Sequence, residues 1–144
     1  MALDDDIATA LDALVSGTYT LDDDAAGGNL VKGPPRPPGT NMPQVAVFVT
    51  LTAVVPETPF VDGGARTRIE RHFATVTVRS DTNVADAFKK GQALALAIYN
   101  ALVLNPPSGW IELTANGPNL LLPQGASDDW RWTVNCEGSK EAAP

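Results

Sequence analysis

The sequence contains few of the residues from which catalytic and metal centres are usually built. Its 144 residues include one histidine and one cysteine, His72 and Cys136. A single cysteine forms no intramolecular disulfide bond, and this pair is too small to supply the ligand sets of zinc or most transition metals. We therefore expect no metal site and no cofactor, although carboxylates could still hold a hard cation.

Long apolar runs are also missing. The longest, Ala93 to Leu104, contains Asn100 and falls short of the roughly 18 residues that a membrane-spanning helix needs. The first residues, Met1 to Asp6, are acidic, whereas a secretory signal begins with basic residues and an apolar run. With 44% hydrophobic and 19% charged residues, the composition is that of a globular protein. We expect a single domain over residues 1–137, a disordered tail at 138–144 and no membrane contact.

Basic residues are absent from the first 24 positions, which hold seven aspartates and therefore a charge of -7, equal to that of the whole chain. Near the middle, Arg66, Arg68, Arg71 and Arg79 are accompanied by one acid, Glu70, and give a local charge of +3. Unlike patches of this kind attract neighbouring copies of a protein and speed their encounter. The alternative to such self-association is that the aspartates lie at a solvated helix end and the arginines are ordinary surface residues.

The acidic start has the pattern of an amphipathic helix. Apolar residues recur at helical spacing over residues 3–16, and Gly17 is a suitable residue to end the helix. The run Asp4 to Asp6 lies where helix N-termini favour negative charge, which explains it better than metal binding does. Residues 17–43 form a long proline-rich loop, with a short strand over 29–32. A stiff linker or docking arm accounts for the prolines between Pro34 and Pro38 better than a PxxP ligand does.

The rest of the chain alternates between strand and helix patterns. It predicts strands at Val45 to Thr52, Ile69 to Arg79, Trp110 to Thr114 and Trp130 to Glu137, and a long helix from Val84 to Leu104. Loops are expected over residues 56–67 and 115–129. The fold class that follows is α+β, with an antiparallel sheet covered by one long helix, an additional N-terminal helix and the long proline-rich loop.

The candidate functional residues fit a protein that binds other proteins better than they fit an enzyme. A catalytic pair of Cys136 and His72 is less well supported than a buried cysteine and an ordinary strand histidine, and neither GxSxG nor a phosphate-binding glycine loop occurs. We therefore predict that the protein is not an enzyme. The arginines, with His72 and Phe73 nearby, are compatible with nucleic-acid binding, but a pI of about 4.4 opposes it. Arginines beside a strand are equally suited to pair with carboxylates of another protein surface.

The stretch from Pro43 to Glu137 resembles the tail-terminator proteins of long-tailed bacteriophages, also called tail-completion or minor tail proteins. The likeness lies in the order and spacing of six pieces: "PQVAVFVT", "VDGGARTR", "HFATVTVRS", "NVADAFKKGQALALAIYNAL", "GWIEL" and "PQGASDDWRWTVNCE". It implies an α+β fold whose copies form a hexameric ring. That ring would stop tail-tube polymerisation and present a surface to the head-completion proteins, without catalysis. The proline-rich arm, Pro34 to Pro43, and the aspartate-rich first helix depart from the family.

This resemblance implies a virion protein of the tail or neck that is in the host cytoplasm during assembly. Its partners would be the tail-tube and head-completion proteins, with DNA only passing through the lumen of the ring. A ring requires a contact between unlike patches. The candidate interface residues are Arg66, Arg68, Arg71, Arg79, Gly63, Gly64, Asp22, Asp23 and Asp24. The alternatives are another head-tail connector, such as a stopper or adaptor, or a tail-tube protein, with a small nucleic-acid-binding protein or an enzyme behind them.

Overall fold

The structure is a computed structural model that describes residues 2–15, 21–22, 29–34, 45–56, 60–62, 65–80, 86–121 and 130–141. The elements are α1 (Leu3–Val15), β1 (Leu21–Asp22), β2 (Leu30–Lys32), β3 (Val45–Pro56), β4 (Phe60–Asp62), β5 (Ala65–Thr67), β6 (Ile69–Ser80), α2 (Ala87–Leu104), β7 (Glu112–Leu121) and β8 (Trp130–Glu141). No helix among these residues is long and apolar enough to cross a membrane.

A six-stranded mixed sheet organises the molecule, in the order β1-β2-β3-β6-β8-β7. The short strands β1 and β2 pair in parallel with each other and with β3, whereas β3, β6, β8 and β7 are successively antiparallel. β4 and β5 form a separate two-stranded hairpin between β3 and β6. The end of β3 thus leads through this hairpin to the start of β6, and this segment is called here the hairpin arm, defined as residues 53–68.

The expected fold class is wrong in two respects. The sheet is mixed rather than antiparallel, because β1 and β2 add parallel strands at the edge beside β3. It is also not covered by one long helix. Each of the two described helices covers part of the same sheet face: α1 lies over β2 and β3, and α2 over β6, β7 and β8. The physical reason is that α1 has an apolar stripe of its own that must be buried.

The core lies between this sheet face and the two helices. Alternate residues of β3, β6 and β8 line up across the strands, so that Val47 faces Val78 and Val78 faces Trp132. Leu3, Ile7, Ala8 and Leu11 of α1 and Ala95, Ile98 and Leu102 of α2 pack onto them in one continuous cluster. The apolar sides that repeat every two residues in the strands and about every 3.6 residues in the helices are therefore buried in the same core.

A second, smaller apolar cluster lies on the opposite face of the sheet. It consists of Val31, Ala46 and Phe48, each of which is fully buried. Arg79 is also fully buried on this face, with its guanidinium 5.3 Å from the centre of the Phe48 ring. The sheet therefore buries apolar side chains on both faces where β2 and β3 meet.

Several predicted boundaries differ from the observed ones. β7 runs through Ala115 to Leu121, where a loop was expected, with a bulge at the cis Gly117–Pro118 bond. β8 continues to Glu141, so residues 138–141 belong to the sheet. The helix expected from Val84 begins at Ala87, while residues 81–85, like most of the proline-rich loop and residues 142–144, lie outside the described residues.

Candidate functional site

The hairpin arm carries two of the four arginines noted above, Arg66 and Arg68. Beyond the bulge at Thr52, β3 and β6 pair from Ala53 with Phe73 to Pro56 with Glu70. Val54 and Val55 are 44% and 45% exposed, although valine is typical of cores. Arg68 is exposed in the link between β5 and β6. The arm therefore presents apolar and basic side chains away from the core.

The three predicted interface residues whose side chains the structure describes, Arg68, Arg71 and Arg79, do not lie together on one surface. Arg71 is on the sheet face opposite the helices, where its Nη1 atom lies 3.1 Å from Glu137 Oε1. Arg79 is buried inside the chain and presents no surface to a partner. Arg66 lies in β5 and Asp22 in β1, with their side chains outside the described part, and Gly63, Gly64, Asp23 and Asp24 are outside the described residues. Arg79 is therefore unsuited to an interface, Arg68 is the clearest exposed candidate, and the interface role of Asp22, Asp23, Asp24, Gly63 and Gly64 stays a prediction.

The polar face beside Arg71 contains a shallow depression. Its volume is about 260 Å³, and it is lined by Arg71, Glu112, Thr114, Glu137 and Ser139. These residues come from the three adjacent strands β6, β8 and β7. The ion pair between Arg71 and Glu137 is well exposed on both sides, so it stabilises the fold by less than about 1 kcal/mol. The depression is a feature of a solvated sheet face, without the apolar lining of most small-molecule sites.

The aspartates at the start of α1 bind other parts of the chain. Lys32 Nζ of β2 donates to Asp5 Oδ1 at 2.6 Å, and this hydrogen bond lowers the pKa of Asp5 below its ordinary value of 3.8, against a smaller opposing effect of burial. Trp110 Nε1 donates to Asp6 Oδ2 at 2.9 Å. Asp4 and Asp12 remain half-exposed. The acidic start therefore anchors α1 to the sheet as well as carrying charge.

Side chains around His72 form a cluster that contacts the beginning of α1. The residue patterns in the sequence did not predict this cluster. The backbone N–H of Leu3 donates to His72 Nδ1 at 3.4 Å, and His72 Nε2 lies 3.1 Å from Glu70 Oε2. Because Nδ1 is an acceptor here, Nε2 carries the proton of the neutral ring and donates to Glu70. Trp110 packs edge-on to His72 with ring centres 5.0 Å apart. Glu70 is two positions from His72, but Leu3 and Trp110 are 69 and 38 positions away, too far for any local pattern to indicate them.

His72 and Cys136 are not arranged as a nucleophilic pair. His72 and Cys136 lie on the same face of neighbouring strands, but both ring nitrogens of His72 already have partners. Burial raises the pKa of Cys136 to about 12, so its thiol stays protonated at neutral pH. Within the described ranges, no three His, Cys, Asp or Glu side chains come together as a metal site.

Comparison with known proteins adds no assignment. No family model matches the chain, and no curated protein matches its sequence.

Proposed function

We propose that the protein is a structural component of a bacteriophage virion, a tail terminator that assembles as a ring, caps the tail tube and forms the joint to the head-completion proteins. The observation that carries the proposal is the resemblance of residues 43–137 to tail terminators in the order and spacing of their segments. The protein acts in this proposal through its surfaces, without making or breaking a covalent bond.

The hairpin arm supports the proposal as an assembly element. Its β4–β5 hairpin is not part of the six-stranded sheet, and the arm exposes Val54, Val55 and Arg68. Exposed valines and an exposed arginine on one segment are side chains that a protein partner can cover. The opposite charge is supplied by the half-exposed Asp4 and Asp12 on α1. An arm from one copy that docks beside α1 of the next is a contact between unlike patches, which a ring requires.

Capping of tail tubes is the direct test. The purified protein is mixed with tail-tube protein of the same phage during polymerisation, and tube lengths and ends are examined by electron microscopy. We expect shorter tubes that carry a ring at one end. Incorporation along the tubes would identify a tail-tube protein, and binding to connectors but not to tubes would identify a stopper or adaptor. Either result would overturn the terminator assignment.

The role of the arm is tested with the double variant Arg66→Glu/Arg68→Glu. We expect capping to be lost, because the changes replace positive charge with negative charge on the arm. Lys89→Glu/Lys90→Glu is the matched control, since it makes the same change in net charge at two exposed positions of α2. Equal loss of capping in both variants would show that net charge, rather than the arm, is responsible.

A further inference from the structure

Helix α2 has two apolar sides, of which the sheet covers one. Its inner side, with Gly91, Ala95, Ile98 and Leu102, is buried. Its outer side carries a second stripe, called here the outer stripe, which consists of Ala93, Leu96, Ala97, Asn100 and Val103, all exposed. Positions 93, 96, 100 and 103 have the alternating spacing of three and four residues that helices use to pair with other helices. A helix that is apolar on both sides is normally buried on both.

The exposed area around the outer stripe is large and uncharged. Leu96 is 45% exposed, Val103 50%, Leu104 75% and Ile111 63%. No charged residue or histidine occurs from Gly91 to Ile111. Surfaces depleted of charge and enriched in apolar residues are typical of contacts between identical subunits. For a chain of net charge -7, such a face is also where two copies repel each other least.

The ends of α2 indicate how a second copy is oriented. Lys89 and Lys90 lie in the first turn, where the helix dipole disfavours positive charge, and the last turn has no basic residue to complement its free carbonyl groups. A parallel pair would bring the lysines of two copies together. An antiparallel pair places them beside the other copy's helix C-terminus, where positive charge is favourable.

We infer that two copies of this chain pair through the outer stripes of their α2 helices. The two helices are antiparallel, and the two-fold axis between them crosses each helix at the level of residue 98. This arrangement sets Val103 of one copy against Ala93 of the other, and Leu96 against Asn100. Larger side chains therefore meet smaller or polar ones, as close helix packing requires. Leu104, one heptad after Ala97, extends the apolar contact at each end.

The pair is expected to be weak and reversible. Asn100 brings an amide into each half of the contact, where burial of a polar group opposes association. An interface of one helix per copy is also smaller than the roughly 800 Å² per partner of stable complexes. A two-fold contact closes on itself, so it is distinct from the head-to-tail contact of a ring, and the inference stands without the proposed function.

The first experiment measures molar mass by light scattering over a range of protein concentrations. We expect a dimer that dissociates on dilution, and Leu96→Glu to raise the dissociation constant at least about tenfold, because it buries a charge in the contact. Val55→Glu is the matched control, since Val55 is equally exposed but lies on the arm. A chain that is monomeric at several hundred micromolar, or a dimer that Leu96→Glu leaves unchanged, would overturn the inference.

The second experiment tests the antiparallel geometry with single cysteines, because the native Cys136 is buried. Ala97→Cys lies one residue from the proposed axis, so two copies should form a disulfide on mild oxidation. Ala93→Cys lies five residues from it, which separates the two thiols by roughly 15 Å along the helices. We expect no disulfide in that variant alone and a disulfide when it is mixed with Val103→Cys. Equal cross-linking of Ala93→Cys and Ala97→Cys would show a parallel pair and overturn the geometry.

Discussion

The contact of Gly91 with Trp132 makes a sharp prediction about how α2 packs on the sheet. A Cβ atom added to Gly91 would lie 2.2 Å from Trp132 Cζ3, 2.7 Å from Cη2 and 3.0 Å from Cε3. Carbon atoms in good contact are about 3.5–4.0 Å apart, so the helix or the indole must move by more than about 1 Å. Trp132 is almost fully buried and packs edge-on to Phe88, which leaves it little room to move.

Gly91→Ala should therefore destabilise the protein, although alanine is the better helix former. The change gains about 1 kcal/mol of helix propensity and costs about 2–3 kcal/mol, the upper part of the range for overpacking, because the displacement needed exceeds about 1 Å. We expect the free energy of unfolding to fall by about 1–2 kcal/mol and Tm by roughly 3–7 °C. Urea and thermal unfolding followed by circular dichroism measure both quantities.

A double-mutant cycle identifies the cause. In a Trp132→Phe background the atoms that meet the new Cβ are removed, so Gly91→Ala should become neutral or stabilising. Gln92→Ala is the control, because this neighbouring position is exposed and its helix propensity changes little. A Gly91→Ala protein that is as stable as the parent, or more stable, would refute the close packing of α2 on β8.

Three further predictions concern the anchoring of α1 and the buried thiol. Because the hydrogen bond from Lys32 lowers the pKa of Asp5, its contribution is present above pH 3.8 and is lost as the pH falls further. Asp5→Asn should therefore cost less than about 1 kcal/mol at pH 7, since the pair is partly exposed, and the difference from the parent in urea unfolding should vanish at lower pH. Trp110→Phe removes the donor to Asp6 Oδ2 and should lower the free energy of unfolding by about 1–2 kcal/mol; an unchanged urea midpoint would contradict the anchoring role. With a pKa of about 12, Cys136 should react with a thiol reagent at neutral pH only when the chain unfolds, so rapid labelling in native buffer would contradict its burial.

The sequence patterns located the long elements well because each of these has a regular buried side. The alternation in residues 69–79 and 130–137 predicted strands that exist and pair with each other. The period of α2 likewise predicted a helix to Leu104, where it ends. Such patterns repeat over many residues, so the period is clear without knowledge of the partner.

The edges of the sheet could not be predicted in the same way. β2 has three residues, too few for a period to show, and its parallel pairing with β3 depends on the path of the intervening chain. β7 is interrupted by Gly117 and Pro118, which are typical of turns, yet its pairing with β8 continues on both sides of the bulge. Local composition therefore predicted a loop where long-range hydrogen bonds hold a strand.

The sequence singled out residues for the candidate site but did not predict where their side chains lie. Charge counting singled out four arginines, and the structure separates Arg68 on the arm, Arg71 in an ion pair and Arg79 in the interior. The distinction depends on which strand face each side chain occupies and on what packs against that face. The His72 and Trp110 cluster was missed for the same reason, since its members meet only after the sheet has formed.

The two proposed contacts place constraints on each other. A head-to-tail contact through the arm generates a ring, whereas a two-fold contact through α2 joins copies only in pairs. If both persisted in one assembly, two rings would be held face to face, and a surface needed by the tube or the head would be covered. A terminator that contacts a different partner on each side must therefore break the α2 pair on assembly. The weakness expected of that pair is what allows it to separate on assembly.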